Sequence, residues 1–210
     1  MIDRILHYFP NLTECQRDRL DAMTGLYAEW NEKINVISRK DIANLEVRHL
    51  LHSLSIARFM RFADGTRVLD FGCGGGLPGL PLAVMFPEVH FHLIDRIGKK
   101  IRVASSIAEA IGLENVSFQH GDIAECKEQV QFVVSRAVMP LPDLVRLSRK
   151  NISGRQFNGY PNGVITLKGG ELDDELGQYK NITIVEPLLS YFPDDEFFST
   201  KCITYTPVNK

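Results

Sequence analysis

A chain of 210 residues, 44% hydrophobic and 24% charged, has the balance of an ordered globular protein and the length to bury a core without staples. Its formal net charge of −2 argues against a protein that wraps naked nucleic acid by charge alone. No apolar run approaches the roughly eighteen residues of a membrane span, and Cys15, Cys73, Cys126 and Cys202 show no C-x-x-C spacing, so neither a zinc nor a dithiol motif is expected.

The first sixty residues read as helical. Thr13-Glu14-Cys15-Gln16 has the form of a capping box, in which hydroxyl and amide each satisfy a free backbone N–H. Beyond it Leu20, Met23, Leu26, Tyr27 and Trp30 recur on one helical face, and a second helical stretch carries Val47, Leu50, Leu51, Leu54 and Ala57. The turn cluster Ala63-Asp64-Gly65-Thr66 separates a helical extension, residues 1–64, from residues 65–210, with both expected to pack as one unit.

Strands then alternate with helices. Residues 67–71 are predicted as a strand, 77–86 as a helix with prolines tolerated at its start, 89–94 as a strand and 98–111 as a helix. Strands at 116–119 and 130–135, a helix at 140–150 and a strand at 163–168 follow. This alternation predicts βαβ units and a mostly parallel sheet. Residues 181–189 and 201–208 break it as two strands joined by a loop with Asp194, Asp195 and Glu196, an antiparallel pair at a sheet edge. The histidines form no metal-ligand pattern: His90 and His92 merely share one face of a strand, and no metal is expected.

The strongest chemical signal runs from Asp70 to Gly79, D-F-G-C-G-G-G-L-P-G, between a strand and a helix. Open α/β sheets bind ligands at such strand ends. Gly74, Gly76 and Gly79 fit G-x-G-x-x-G, the dinucleotide fingerprint, which alone is weak. Asp70, Gly72, Gly74 and Gly76 fit D-x-G-x-G-x-G instead. A pyrophosphate wants N–H donors and no carboxylate beside it. S-adenosylmethionine carries an ammonium and a sulfonium, so Asp70 favours it. Asp95, ending the next strand, can accept from both ribose hydroxyls, a role common to the two cofactors.

These residues, with L-Y-A-E-W-N-E-K-I-N at 26–35, V-R-H at 47–49, S-R-A from Ser135 and L-K-G-G from Leu167, resemble the RsmG (GidB) family over nearly the whole chain. The resemblance implies a Rossmann-like class I methyltransferase fold: a mostly parallel seven-stranded sheet with an antiparallel terminal strand, preceded by N-terminal helices. It implies methyl transfer from S-adenosyl-L-methionine to N7 of a guanosine in small-subunit (16S) ribosomal RNA. The scattered cysteines, an N-terminus unlike a signal peptide and the lack of an apolar span lead us to expect a cytoplasmic protein with no membrane partner, and no DNA partner is expected. Carried over by position, cofactor contacts fall on Gly72, Leu77, Asp95, Ile123, Ala124 and Arg136, beside Asp70 and Gly74 from the loop. Where the family commonly reads R-H-x-x-D-S, His52 stands at the acid, and Val138-Met139-Pro140 follow S-R-A.

Guanine N7 offers a free lone pair, so the reaction needs alignment and no obligatory general base. Arg136 is expected to border cofactor and guanosine, positioning one against the other. Basic groups at Arg96, Lys99, Lys100 and Arg102 and at Arg146, Arg149, Lys150 and Arg155, with Lys168 at a strand end, are candidate RNA contacts. The rival readings are a small-molecule methyltransferase, an NAD-dependent oxidoreductase and a non-catalytic ribosome-binding protein.

Overall fold

The computed structural model of the protein describes residues 1–38, 41–136, 138–170 and 172–208. Its centre is a seven-stranded sheet built from β1 (Arg67–Phe71), β2 (His90–Asp95), β3 (Val116–His120), β4 (Phe132–Arg136), β5 (Gly163–Gly169), β6 (Ile184–Pro187) and β7 (Lys201–Pro207). The order is β3-β2-β1-β4-β5-β7-β6. The first five strands are parallel, and β7 runs antiparallel to both β5 and β6. The expected edge pair is present, with β7 inserted inside the sheet and β6 at the edge. The predicted strand at 181–189 is narrower than expected, because Leu188 to Ser190 turn into a 3-10 helix straight after Pro187.

Period-two alternation gives the sheet two apolar faces. Val68, Phe91, Leu93, Val134 and Ile165 join a large core shared with the N-terminal helices, α4 (Gly79–Met85) and α5 (Gly98–Ala110). Leu69, Phe71, Ile94, Val133 and Val164 face the other way, onto α6 (Leu141–Ser148). α4 begins two residues later than the predicted helix, at Gly79, with Pro81 in its first turn.

The N-terminal segment forms α1 (Asp3–Tyr8), α2 (Glu14–Lys33), a π-helical stretch from Glu46 to Leu51, and α3 (His52–Phe59). Both halves of the capping box at Thr13 and Gln16 form. On α2, Leu20, Met23 and Tyr27 are fully buried, while Leu26 and Trp30 pack half-buried against the same core. Arg19 donates to the carbonyls of Ile111 and Gly112 at 2.9 and 2.7 Å, and Gln16 donates to those of Val84 and Met85. α1 is held from two sides. The Glu46 carboxylate accepts from the N–H groups of Arg4 and Ile5 at 2.6 and 3.1 Å. The acidic loop supplies Asp195, paired with Arg4 at 2.8 Å, and Asp194, 3.2 Å from His7, while the Tyr8 ring packs edge-on against Phe192. Among the described residues no helix is long and apolar enough to cross a membrane.

Candidate active site

β1 and β4 lie side by side at the centre of the sheet, and the segments leaving their carboxyl ends shape two adjoining cavities. Ser135 ties the two strand ends together by donating to the Phe71 carbonyl at 2.9 Å. The serine of S-R-A is thus a structural brace that leaves the neighbouring Arg136 at the cavities, and Ala137 of that segment lies outside the described residues.

The first cavity, about 600 Å³, is lined by the glycine loop, by Ile94, Asp95 and Ile97 after β2, and by Gly121 and Ile123 after β3. Positive φ at Gly72 (+69°) bends the chain out of β1, and a Cβ there would come within 2.7 Å of Val138. Tyr27 on α2 donates its hydroxyl to the Gly75 carbonyl at 2.8 Å, and burial drives its acidity down so that it stays a donor. Asn31 accepts from the N–H groups of Val36 and Ile37, both at 2.9 Å, holding that pair over the loop as part of the cavity wall.

Most N–H groups of the loop are spent inside the protein. Those of Gly72 and Cys73 donate to the Ile94 carbonyl, those of Gly76 and Leu77 to the Cys73 carbonyl, and that of Gly74 to Asp95 at 2.9 Å. The first N–H of α4, from Gly79, donates to the Asp70 carboxylate at 2.7 Å. A carboxylate therefore stands where a dinucleotide site would place its pyrophosphate.

Asp70, expected at the cofactor, stands apart from the cavity wall in this arrangement. Its side chain is fully buried beneath the loop, braces Gly79 and does not line the cavity. Burial outweighs that hydrogen bond and pushes its carboxyl up to about 7. Ala124 is likewise not on the cavity wall. It is exposed on a 3-10 turn, and its N–H is taken by Asp122 at 2.8 Å. Gly72, Gly74, Leu77, Asp95, Ile123 and Arg136 do line the cavity. The sequence did not single out Val36, Ile37, Ile97 or Leu147 on the same wall. Asn31, inside the W-N segment, was the available signal for the first two, since a side-chain amide beyond a helix often organises the loop that follows.

The second cavity, about 640 Å³, shares Arg136, Val138 and Met139 with the first and extends to Arg48, His49, His52, Lys168, Phe197 and Lys201. Two of its cations are already neutralised: Arg48 pairs with Asp41 at 2.7 Å, and Lys168 pairs with Glu175 at 2.9 Å while donating to the Met139 carbonyl. Arg136 has no carboxylate within ion-pair distance among the described residues. It donates from Nη1 to Nδ1 of His49 at 3.1 Å. Burial, then the nearby guanidinium, lowers His49 to about 4 and His52 to about 3, so both rings are neutral near pH 7. The His52 ring stands edge-on to Phe197 and Phe198. Of the basic groups read from sequence, Arg96 and Lys100 reach the first cavity and Lys168 the second. Arg96 pairs with Asp122 and Arg146 with Asp143 at the surface.

A model of the GidB family, rRNA small subunit methyltransferase G, matches residues 16–191. The ribosomal RNA small subunit methyltransferase G of Bacteroides thetaiotaomicron is 55% identical over 204 residues, 97% of this chain and 98% of that one. Among solved structures, YjhP from E. coli aligns with 88% of this chain and 99% of its own at a TM-score of 0.56 and 13% identity. A SAM-dependent methyltransferase from Thiobacillus denitrificans, solved with S-adenosyl-L-homocysteine, aligns with 80% of this chain and 97% of its own at 0.53 and 14%. These two likenesses speak for the fold, a class I methyltransferase sheet. The match across the glycine loop, the N-terminal helices and both cavities places the chain in the rRNA small subunit methyltransferase G family, a family of S-adenosylmethionine-dependent ribosomal RNA methyltransferases.

Proposed function

We propose that this protein transfers the methyl group of S-adenosylmethionine to N7 of a guanosine in 16S ribosomal RNA, as a cytoplasmic enzyme. The observation that carries the reading is the shared wall: Arg136, Val138 and Met139 belong both to the cavity of the glycine loop and to the basic cavity beside it. The first cavity fits S-adenosylmethionine. Its size is that of a small-molecule site, Ile94, Ile97 and Ile123 offer apolar walls for an adenine, and Asp95 offers a carboxylate for ribose hydroxyls. Its loop has few N–H groups left for a pyrophosphate. When bound, that cofactor supplies an electrophilic methyl sulfonium.

The chain's own part is alignment. Guanine N7 attacks with a lone pair it already has, and no proton must first be removed. A site without an obligatory base is consistent with histidines held neutral and an arginine at the junction. Because Tyr27 and Asn31 build the loop and the wall, we read residues 1–64 and 65–210 as one catalytic unit. The net charge of −2 favours a structured small subunit over naked RNA as substrate. Labelled S-adenosylmethionine with purified small subunits lacking the modification tests this. We expect label at one guanosine, on N7, and more of it on subunits than on free RNA. Label at another atom, or only on small molecules, overturns the assignment.

A further inference from the structure

The wall shared by the two cavities has little main-chain support where it matters most. Val138 and Met139 follow β4 and precede α6. Among the described residues neither makes a hydrogen bond to another backbone group. The Val138 side chain is exposed, and Met139 packs only half-buried on the core beneath α6. A segment so sparsely bonded opens easily unless a side chain fixes it.

β5 supplies that side chain. Lys168 lies one residue beyond Leu167, the partner of Arg136 in the sheet. Its ammonium donates to the Met139 carbonyl at 2.7 Å and stands 2.9 Å from the Glu175 carboxylate. The lysine side chain is 8% exposed, whereas that of Glu175 is 40% exposed. The cation is therefore turned into the protein and already has its anion. An RNA phosphate, the partner that a lysine at a strand end invites, would have to compete with Glu175 for a group that solvent barely reaches.

We propose that Lys168 is a positioning residue for methyl transfer: it pins Met139, and with it the wall between cofactor and guanosine, while Glu175 anchors the ammonium. The proposal rests on the reading of the two cavities as cofactor and guanosine sites. Met139 lines both, so its displacement shifts one reactant against the other. A misplacement of about 1 Å can cost about a hundredfold in rate.

The test uses the intact enzyme and small subunits lacking the modification, with kcat expressed per S-adenosylhomocysteine site counted by calorimetry. Lys168→Met keeps the side chain's length and removes both donor and charge. Its kcat should fall by about ten- to a hundredfold. Its KM for subunits should stay within about threefold, as expected when alignment and not binding is lost. The slope of log KM against log salt should not change. A phosphate contact predicts the reverse, a raised KM and a slope smaller by about 0.7–0.9, because one fewer counterion is released. Glu175→Gln keeps an acceptor oxygen and removes the anion at a more exposed position. With its anchor gone, Lys168 should hold Met139 less well, and kcat should fall by at least about threefold. A lysine that binds RNA would instead gain from losing its neutralising partner, and KM would drop. Should Lys168→Met fail to fold, Glu175→Gln alone decides. A wild-type kcat per site in either variant overturns the proposal, and so does a reduced salt slope in Lys168→Met or a lowered KM in Glu175→Gln. A wild type that methylates no guanosine N7 overturns the function reading itself, a result distinct from these.

Discussion

The two cavities are built from different material. The first is built around backbone: a glycine loop bent by positive φ and bonded to itself, to β2 and, through Tyr27, to α2, with apolar side chains closing its wall. The second is made of long side chains sent from the π-helical stretch, β5, the loop after β4 and the start of β7. A backbone site has one shape and suits one small ligand. A side-chain site can meet a large, charged, irregular surface, and its specificity can change residue by residue. Arg136, Val138 and Met139 are where the two kinds of construction meet.

Substitution at that meeting point should have the largest effect. Arg136→Ala is expected to lower methyl transfer to small subunits by about 10²–10³, the loss typical of a positioned donor. Cofactor affinity, measured by calorimetry, should fall with it, because the side chain lines both cavities. Wild-type values for both quantities would remove Arg136 from the site.

Next comes the support beneath the first cavity. Folded Asp70 keeps its proton up to about pH 7, whereas an ordinary aspartate loses it near 3.8. Its favourable contribution is therefore complete below pH 4 and is lost as pH rises through 7. The full difference is at most about 4 kcal/mol. Asp70→Asn keeps an oxygen for the Gly79 N–H and cannot ionise. Denaturant titrations at pH 5 and pH 8 should show the variant losing less stability than wild type over that interval. Parallel pH profiles would mean that burial of this carboxyl has no such consequence.

The finest contrast lies within the loop. Gly72 and Gly74 both have positive φ, but a Cβ on Gly72 strikes Val138, while one on Gly74 meets nothing within 4 Å. The left-handed backbone alone costs a non-glycine residue about 1–2 kcal/mol. Gly74→Ala should thus weaken S-adenosylhomocysteine binding by about tenfold, and Gly72→Ala by more, since Val138 must also move. Equal dissociation constants for the two variants would show that Val138 yields freely.

The same difference in construction decided what the sequence disclosed. β1 to β5 were legible from apolar runs broken by turn residues, and the glycine loop was legible because its backbone geometry restricts residue type. Asp95 followed from its place at a strand end. The role of Asp70 was read from charge alone, whereas its burial and its bond to Gly79, nine residues on, depend on how the loop folds back over β1. The second cavity joins Arg48, Arg136, Lys168 and Lys201 from segments far apart in the chain, and no local spacing marks such a meeting. The pairing of His49 with Arg136 spans 87 residues and leaves no trace in periodicity. The expected run of residues 47–57 was helical as predicted, but its π-helical opening depends on packing that composition does not encode.

The clasp on α1 bears on the order in which the molecule is assembled. Six residues cannot hold a helix in water unaided, and this helix buries Ile5 and Tyr8 only where Glu46, Phe192, Asp194 and Asp195 receive it. A nascent chain leaving the ribosome carries α1 long before the acidic loop exists, so one of the earliest segments made is among the last to find its place. Until then the Glu46 carboxylate, on the first residue of the π-helical stretch that carries His49, has no helix to cap. Docking of α1 is thereby coupled to synthesis of a loop some 190 residues downstream of Arg4.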